Sequence, residues 1–287
     1  RHSHLIGTVP LRLLVTTPKE TRLEEICEKD PICVSAGEDQ EEVVRVFRKY
    51  DLPAVPVVAA DNRLIGRITA DDIMDVAEEE AAEDLYRMAG TDPAEMETTS
   101  SARAAVIRLT WLLPCMMIIT GTATAIAISQ GIFSPGVYGA IVAFVPMVGA
   151  MSGNSGIQIS TVIVRGLATG DLAGERIGLA LQREGGIALI MAPVCGVASA
   201  IISRLALPLL HGLGAVKTLE QANRVSLAVG LGMLVAILIA GVLSIILPFA
   251  FRRVGVDPAI ASGPIVTTLN DVTSVTIYLA IAMAIMH

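Results

Sequence analysis

Two patterns of apolar positions divide the chain. Up to about residue 88 the apolar residues come in short runs: 21–29 fits a brief helix, 33–36 a strand, and 40–50 a helix whose apolar face is Val43, Val44, Val46 and Phe47. A β-branched strand over 54–58, a turn at Asp61-Asn62 and a strand over 64–68 follow. A helix over 71–88 comes next, with Thr69 in its N-cap region and acids in its first turn. From Leu109 the pattern changes to long apolar stretches. No Asp, Glu, Lys or Arg occurs between 109 and 164, which suits two membrane spans of about 20 residues joined at Ser134-Pro135-Gly136. Residues 185–203 and 225–251 are equally uncharged, and 258–287 carries only Asp271. Five spans are predicted, near 109–130, 137–164, 185–208, 225–251 and 259–285. The expected fold class is an α-helical membrane protein with five transmembrane helices and a small soluble α/β domain.

Charge sharpens this division. Residues 1–108 hold 13 basic and 22 acidic side chains, net −9, whereas 109–287 hold 8 and 6, net +2, within a chain of 287 residues. An acidic segment therefore precedes an apolar one, and its sign argues against nucleic acid as a partner. A cation and a lipid membrane are the natural partners. With the acidic domain cytoplasmic, Arg103, Arg108, Arg165, Arg176, Arg183, Arg252 and Arg253 fall inside, against Lys217 and Arg224 outside. This arginine bias predicts that the C-terminus lies outside the cell (inner) membrane. Four cysteines, Cys27, Cys33, Cys115 and Cys195, show neither CxxC spacing nor a histidine cluster, and read as packed or reduced thiols.

A short self-similarity sits near the start. His4-Leu5-Ile6-Gly7 resembles Arg63-Leu64-Ile65-Gly66 at a spacing of 59 residues, as expected of a duplicated unit that packs on its copy. The first copy is cut at the front and the chain begins with Arg1, so a fragment lacking an N-terminal region is expected. The predicted division is 1–16 as a remnant of the first unit, 17–84 as the second, 85–107 as a connecting segment and 108–287 as the membrane domain.

Asp271 is the most informative single residue, because a carboxylate at the centre of a span costs about 2.5–3.5 kcal/mol on insertion scales and needs a partner or a water-filled path. Pro264, Thr267, Asp271, Ser274 and Tyr278 share one helix face. A structural alternative pairs Asp271 with Arg204. Two copies of the chain with facing fifth spans would place two Asp271 carboxylates and the Thr267 and Thr268 oxygens around one ion, a donor set suited to largely hydrated Mg²⁺. A second polar island, Ser152 to Gln158, puts Asn154 and Gln158 one turn apart, with Gly149, Gly153 and Gly156 allowing close helix approach. The acidic cluster over 71–84 places Asp72, Asp75, Glu79 and Glu83 on one helix side, where divalent cations would relieve their repulsion. There is no P-loop, GxSxG or HExxH, so an enzymatic reading lacks its residues.

These residues match known patterns. Gly66-x-Ile68-Thr69-x-x-Asp72 makes residues 17–84 look like a CBS domain, in which the Thr and Asp often contact adenosine nucleotides. Arg108-x-x-Trp111-Leu112, Gly153-Asn154-Ser155-Gly156-x-Gln158, Arg165-Gly166-Leu167-Ala168, Val256-Asp257-Pro258-Ala259 and Gly263-Pro264-x-x-Thr267-Thr268-x-x-Asp271 resemble the MgtE family of magnesium channels and transporters. The resemblance implies a homodimer in which Asp271 holds hydrated Mg²⁺, with Thr267, Thr268, Asn154 and Ser274 lining the path. It also implies regulatory Mg²⁺ at Asp39, Glu41, Asp51, Asp72, Asp75, Glu80, Glu83, Asp84 and Asp257, and ATP or another adenosine nucleotide at Thr69 and Asp72. In the first CBS copy Pro10 and Leu13 replace that Thr and Asp. The alternatives are transport of Co²⁺, Mn²⁺ or another divalent ion, or a non-conducting nucleotide-sensing receptor.

Overall fold

The structure, a computed structural model, describes residues 4–98, 100–169, 172, 175–209 and 218–286. The chain divides at residue 82 into two compact units. In the first, β1 (Gly7–Thr8), α1 (Leu11–Thr16), α2 (Leu23–Ile26) and β2 (Glu28–Lys29) precede β3 (Val34–Ser35), α3 (Gln40–Tyr50), β4 (Ala54–Val58) and β5 (Leu64–Thr69). β3 pairs parallel with β4, and β4 antiparallel with β5. Val43 and Phe47, four apart on α3, bury against Val34 and Val55 of the sheet and Ile73 of the next helix. The helix expected over 21–29 ends at Ile26 instead, because Glu28 and Lys29 form an antiparallel pair with Thr8 and Gly7. The self-similar segments meet: His4 bridges Arg63, its equivalent 59 residues on, and the Leu5 amide donates to the Asn62 carbonyl at 3.1 Å.

Helix α4 (Ala70–Ala89) runs from the first unit into the second, and the short α5 (Ala94–Glu97) follows. The second unit continues with α6 (Ser101–Gln130), α7 (Pro135–Val142), α8 (Val145–Ala168), α9 (Glu175–Ala206) and α10 (Leu219–Arg253). A 3-10 turn (Pro258–Ser262) then leads to α11 (Pro264–Met286). Counting α7 and α8 together, five helical segments among the described residues are long and apolar enough to cross a membrane. The second is broken at Ala143-Phe144, where Pro146 in the first turn of α8 cannot donate a backbone hydrogen bond to a continuous helix. The fifth begins at Pro264, later than its lack of charge suggests, since the Pro258 turn precedes it.

Small residues allow the helices to approach closely. A Cβ on Gly196 of α9 would lie 2.9 Å from the Gly230 carbonyl of α10, and one on Gly232 would lie 2.5 Å from the Tyr278 ring of α11. Ile141, Val148, Val225, Met233, Ile237 and Val275 fill the space between.

Candidate ion site

The polar positions of α11 point in two directions. Asn270, Ser274 and Tyr278, spaced by four, face into the bundle and are buried. The Tyr278 hydroxyl donates to the Ile141 carbonyl at 2.8 Å, and the Asn270 amide nitrogen donates to Ser244 Oγ of α10 at 3.2 Å. Thr267 and Asp271 lie on the adjoining, half-buried side.

Asp271 sits where α8 has no side chains. A Cβ on Gly153 would come within 3.1 Å of Asp271 Oδ1 and 3.2 Å of Thr267 Cγ2, and a Cβ on Gly149 within 3.6 Å of the same oxygen. Oδ1 is buried without a hydrogen-bond partner, as are Asn270 Oδ1, Ser155 Oγ and Ser274 Oγ. Arg204, the alternative counter-ion, donates instead to Asn223 Oδ1 at 3.0 Å, and no ion pair of Asp271 occurs among the described residues. Of the other expected path residues, Thr267 stays beside Asp271 and the rest are dispersed. The hydroxyls of Thr267 and Thr268 donate to the Gly263 and Pro264 carbonyls at 3.4 and 2.7 Å, with Thr268 buried; Ser274 is enclosed by its own chain, and Asn154 is exposed on α8.

The expected regulatory residues fall into two groups. In the first unit, Asp39 caps α3 by accepting from the Glu41 amide at 3.0 Å, Glu41 pairs with Arg45 at 3.2 Å, and Asp51 closes α3 in a left-handed conformation. Asp72 accepts from both the Thr69 amide, at 3.2 Å, and the Thr69 hydroxyl, so these two nucleotide candidates engage each other across the first turn of α4. Asp75 is exposed and Glu80 half-buried on the same helix.

In the second unit, Arg87 of α4 pairs with both Glu83 and Asp257, and Asp257 also accepts from the Ala259 amide at 2.7 Å to cap the 3-10 turn. Burial, and then the charge of Asp257, push the Asp84 carboxyl above its ordinary range, while Arg165 and Arg87 pull it back. Among the described residues, no three His, Cys, Asp or Glu side chains converge closely enough to hold a metal ion.

Two residues escaped the sequence reading. Asn270 is a neutral neighbour of Asp271, and a Cβ on Gly156 would lie 1.9 Å from its amide nitrogen, so the glycine makes its seat. Glu184 of α9 is 4% exposed at the edge of an uncharged run.

Two family models match parts of the chain. The MgtE family profile, described as "Divalent cation transporter", matches residues 145–281, and the CBS domain profile matches 23–79. This chain carries an MgtE-family membrane domain. Three proteins named Magnesium transporter MgtE resemble it. That of Enterococcus faecalis is 33% identical over 287 residues, 100% of this chain and 60% of its own length. Those of Bacillus subtilis and Thermus thermophilus are each 34% identical, over 99% of this chain and 59% and 60% of their own. The chain thus spans about 60% of the length of these MgtE relatives. A crystal structure of the soluble part of a magnesium transporter aligns over 28% of this chain and 32% of its own, with 41% identity and a TM-score of 0.28. The MgtE and CBS assignments agree with the multi-pass helical bundle and the small α/β unit.

Proposed function

We propose that this chain is the CBS and membrane portion of a homodimeric Mg²⁺ channel or transporter, with its CBS unit cytoplasmic and its C-terminus outside. The observation that carries the reading is Asp271, a carboxylate in the fifth span with no ion pair among the described residues and one oxygen set against bare α8 backbone at Gly149 and Gly153. Three relatives named as magnesium transporters support Mg²⁺ as the ion.

In this mechanism Asp271 attracts the hydrated ion, and pairing across a two-fold axis supplies a second carboxylate, a donor set that Mg²⁺ accepts while retaining water. An inside-negative potential contributes about 2.3 kcal/mol per charge per 100 mV, hence about twice that for Mg²⁺, and drives influx without hydrolysis. Closure follows when cytosolic Mg²⁺ binds the acidic residues of the CBS unit and of the Glu83, Asp84 and Asp257 group. An adenosine nucleotide at Thr69 and Asp72 would have to displace the hydrogen bonds between them.

The test is Mg²⁺ uptake into proteoliposomes. Asp271→Asn is expected to lose at least tenfold of the flux at equal reconstitution, and flux equal to wild type would remove Asp271 from the path. Competition by Co²⁺ and Mn²⁺ in the same assay separates a magnesium path from one for another divalent ion. Nucleotide binding with no flux of any divalent ion would favour the receptor reading.

A further inference from the structure

At the arginine-rich end of the bundle, α9 and α10 leave a cleft of about 840 Å³ between them. Its walls are Ile177 and Leu181, one turn apart on α9, and Ile245, Ile246, Phe249 and Ala250 on α10. Arg252, Arg253 and Val254, at the end of α10, complete its lining. Ile245, Phe249, Arg252 and Arg253 follow at spacings of four, seven and eight, so one stripe of α10 passes from apolar to doubly basic. Both arginines are exposed, as are Arg176 and Arg183 of α9, and among the described residues none of the four forms an ion pair.

Depth fixes what can enter. From Arg224 to Arg252, α10 rises about 42 Å at 1.5 Å per residue. That matches a bilayer of about 40–45 Å including headgroups, and so places the two terminal arginines at phosphate level. Ile245 lies about 12 Å deeper along the helix, within hydrocarbon. A soluble protein segment does not reach that depth, and a free phosphate would leave the apolar wall empty. A second copy docked symmetrically on this face would bring each arginine pair toward its own equivalent, a like-charge contact.

We infer that the cleft between α9 and α10 binds an anionic phospholipid, its phosphate between Arg252 and Arg253 and an acyl chain along Ile177, Leu181, Ile245 and Phe249. Basic pockets between membrane helices favour such headgroups, and the attraction amounts to about fivefold in affinity per arginine near the surface. The site uses neither Asp271 nor any expected regulatory residue, and stands whether or not the chain conducts Mg²⁺.

The test is native mass spectrometry of the whole detergent-solubilised chain with equal amounts of phosphatidylglycerol and phosphatidylcholine. Wild type is expected to retain phosphatidylglycerol preferentially. R252Q/R253Q should lose on the order of twentyfold of that affinity with phosphatidylcholine unchanged, and R252K/R253K should keep most of it. If the double variant does not fold, R252Q and R253Q singly should each lose about fivefold. Ile245→Trp, which fills the cleft, should weaken both lipids. Equal retention of the two lipids by wild type, or full preference in R252Q/R253Q, would overturn the inference. So would efficient cross-linking between two copies in bilayers through Ile246→Cys, which would assign the cleft to a second copy.

Discussion

Gly156→Ala tests the packing that seats the α11 polar residues. A Cβ there would stand 1.9 Å from Asn270 Nδ2 and 2.8 Å from Ser244 Oγ, distances no side chain tolerates. Asn270 is 0% exposed, so its amide cannot swing out into solvent. Overpacking costs about 1–3 kcal/mol. Breaking the 3.2 Å bond from Asn270 to Ser244 leaves the amide, whose Oδ1 already lacks a partner, without either end satisfied, at about another 1–3 kcal/mol. The helix preference for Ala over Gly returns about 1 kcal/mol. The net expectation is a loss of about 1–5 kcal/mol, read by SDS titration of the detergent-solubilised protein followed by far-UV circular dichroism. Gly139→Ala is the control, because Gly139 is exposed and nothing lies within 4 Å of its added methyl; it should be neutral or slightly stabilising. In an Asn270→Ala background the cost of Gly156→Ala should shrink by at least about 1 kcal/mol, since residues in contact couple by about 0.5–3 kcal/mol. A cost below about 0.5 kcal/mol in the wild-type background, or costs that simply add, would refute the proposed seat.

Two further predictions concern the carboxylates around Arg87. The Asp84 pKa is raised above its ordinary 3.8, so from there up through its folded value the folded state holds more protons than the unfolded one, and stability falls as pH rises. Asp84→Asn in chelator-containing buffer should remove that slope, with an advantage over wild type that is full above the window and gone below pH 3.8; parallel stability curves would exclude the effect. Arg87→Gln withdraws the cation shared by Glu83 and Asp257, so Mg²⁺ should stabilise the variant against heat at lower concentrations than wild type, and an unchanged Mg²⁺ midpoint would show that these carboxylates do not bind it.

Legibility in the sequence followed the range of the interactions. The spans of α3 and β4 are as the apolar pattern predicts, 40–50 and 54–58, because their burial is set by local periodicity. The helix expected over 21–29 lost its last turn to β2, whose partner β1 lies about 20 residues upstream and leaves no local mark. The five membrane segments were visible as gaps in charge, but the break at Ala143-Phe144 was not, although Pro146 was its local signal. Asp271 announced itself as a lone charge. Asn270 did not, since a neutral amide beside a carboxylate escapes any scan for charge and its partner Ser244 sits 26 residues away on another helix. The glycines of α8 were readable as sites of close approach, and the structure supplies what each approaches: Asp271 for Gly149 and Gly153, Asn270 for Gly156.

The neighbours Asn270 and Asp271 therefore answer to different demands. Asn270 is enclosed and hydrogen-bonded to its own chain, so the fold itself compensates part of its burial. Asp271 lacks that compensation: a carboxylate in mid-span costs about 2.5–3.5 kcal/mol on insertion scales, and among the described residues it has neither an ion pair nor a hydrogen bond to Oδ1. No described residue balances that charge, which leaves its half-open side to water, a cation or a second copy. Residues kept for function at a cost to stability leave a fold no weaker when neutralised. Asp271→Asn should thus keep or raise resistance to SDS while flux is lost, whereas Asn270→Ala should lower resistance first. A fall in both stability and flux on Asp271→Asn would make Asp271 a structural residue like its neighbour.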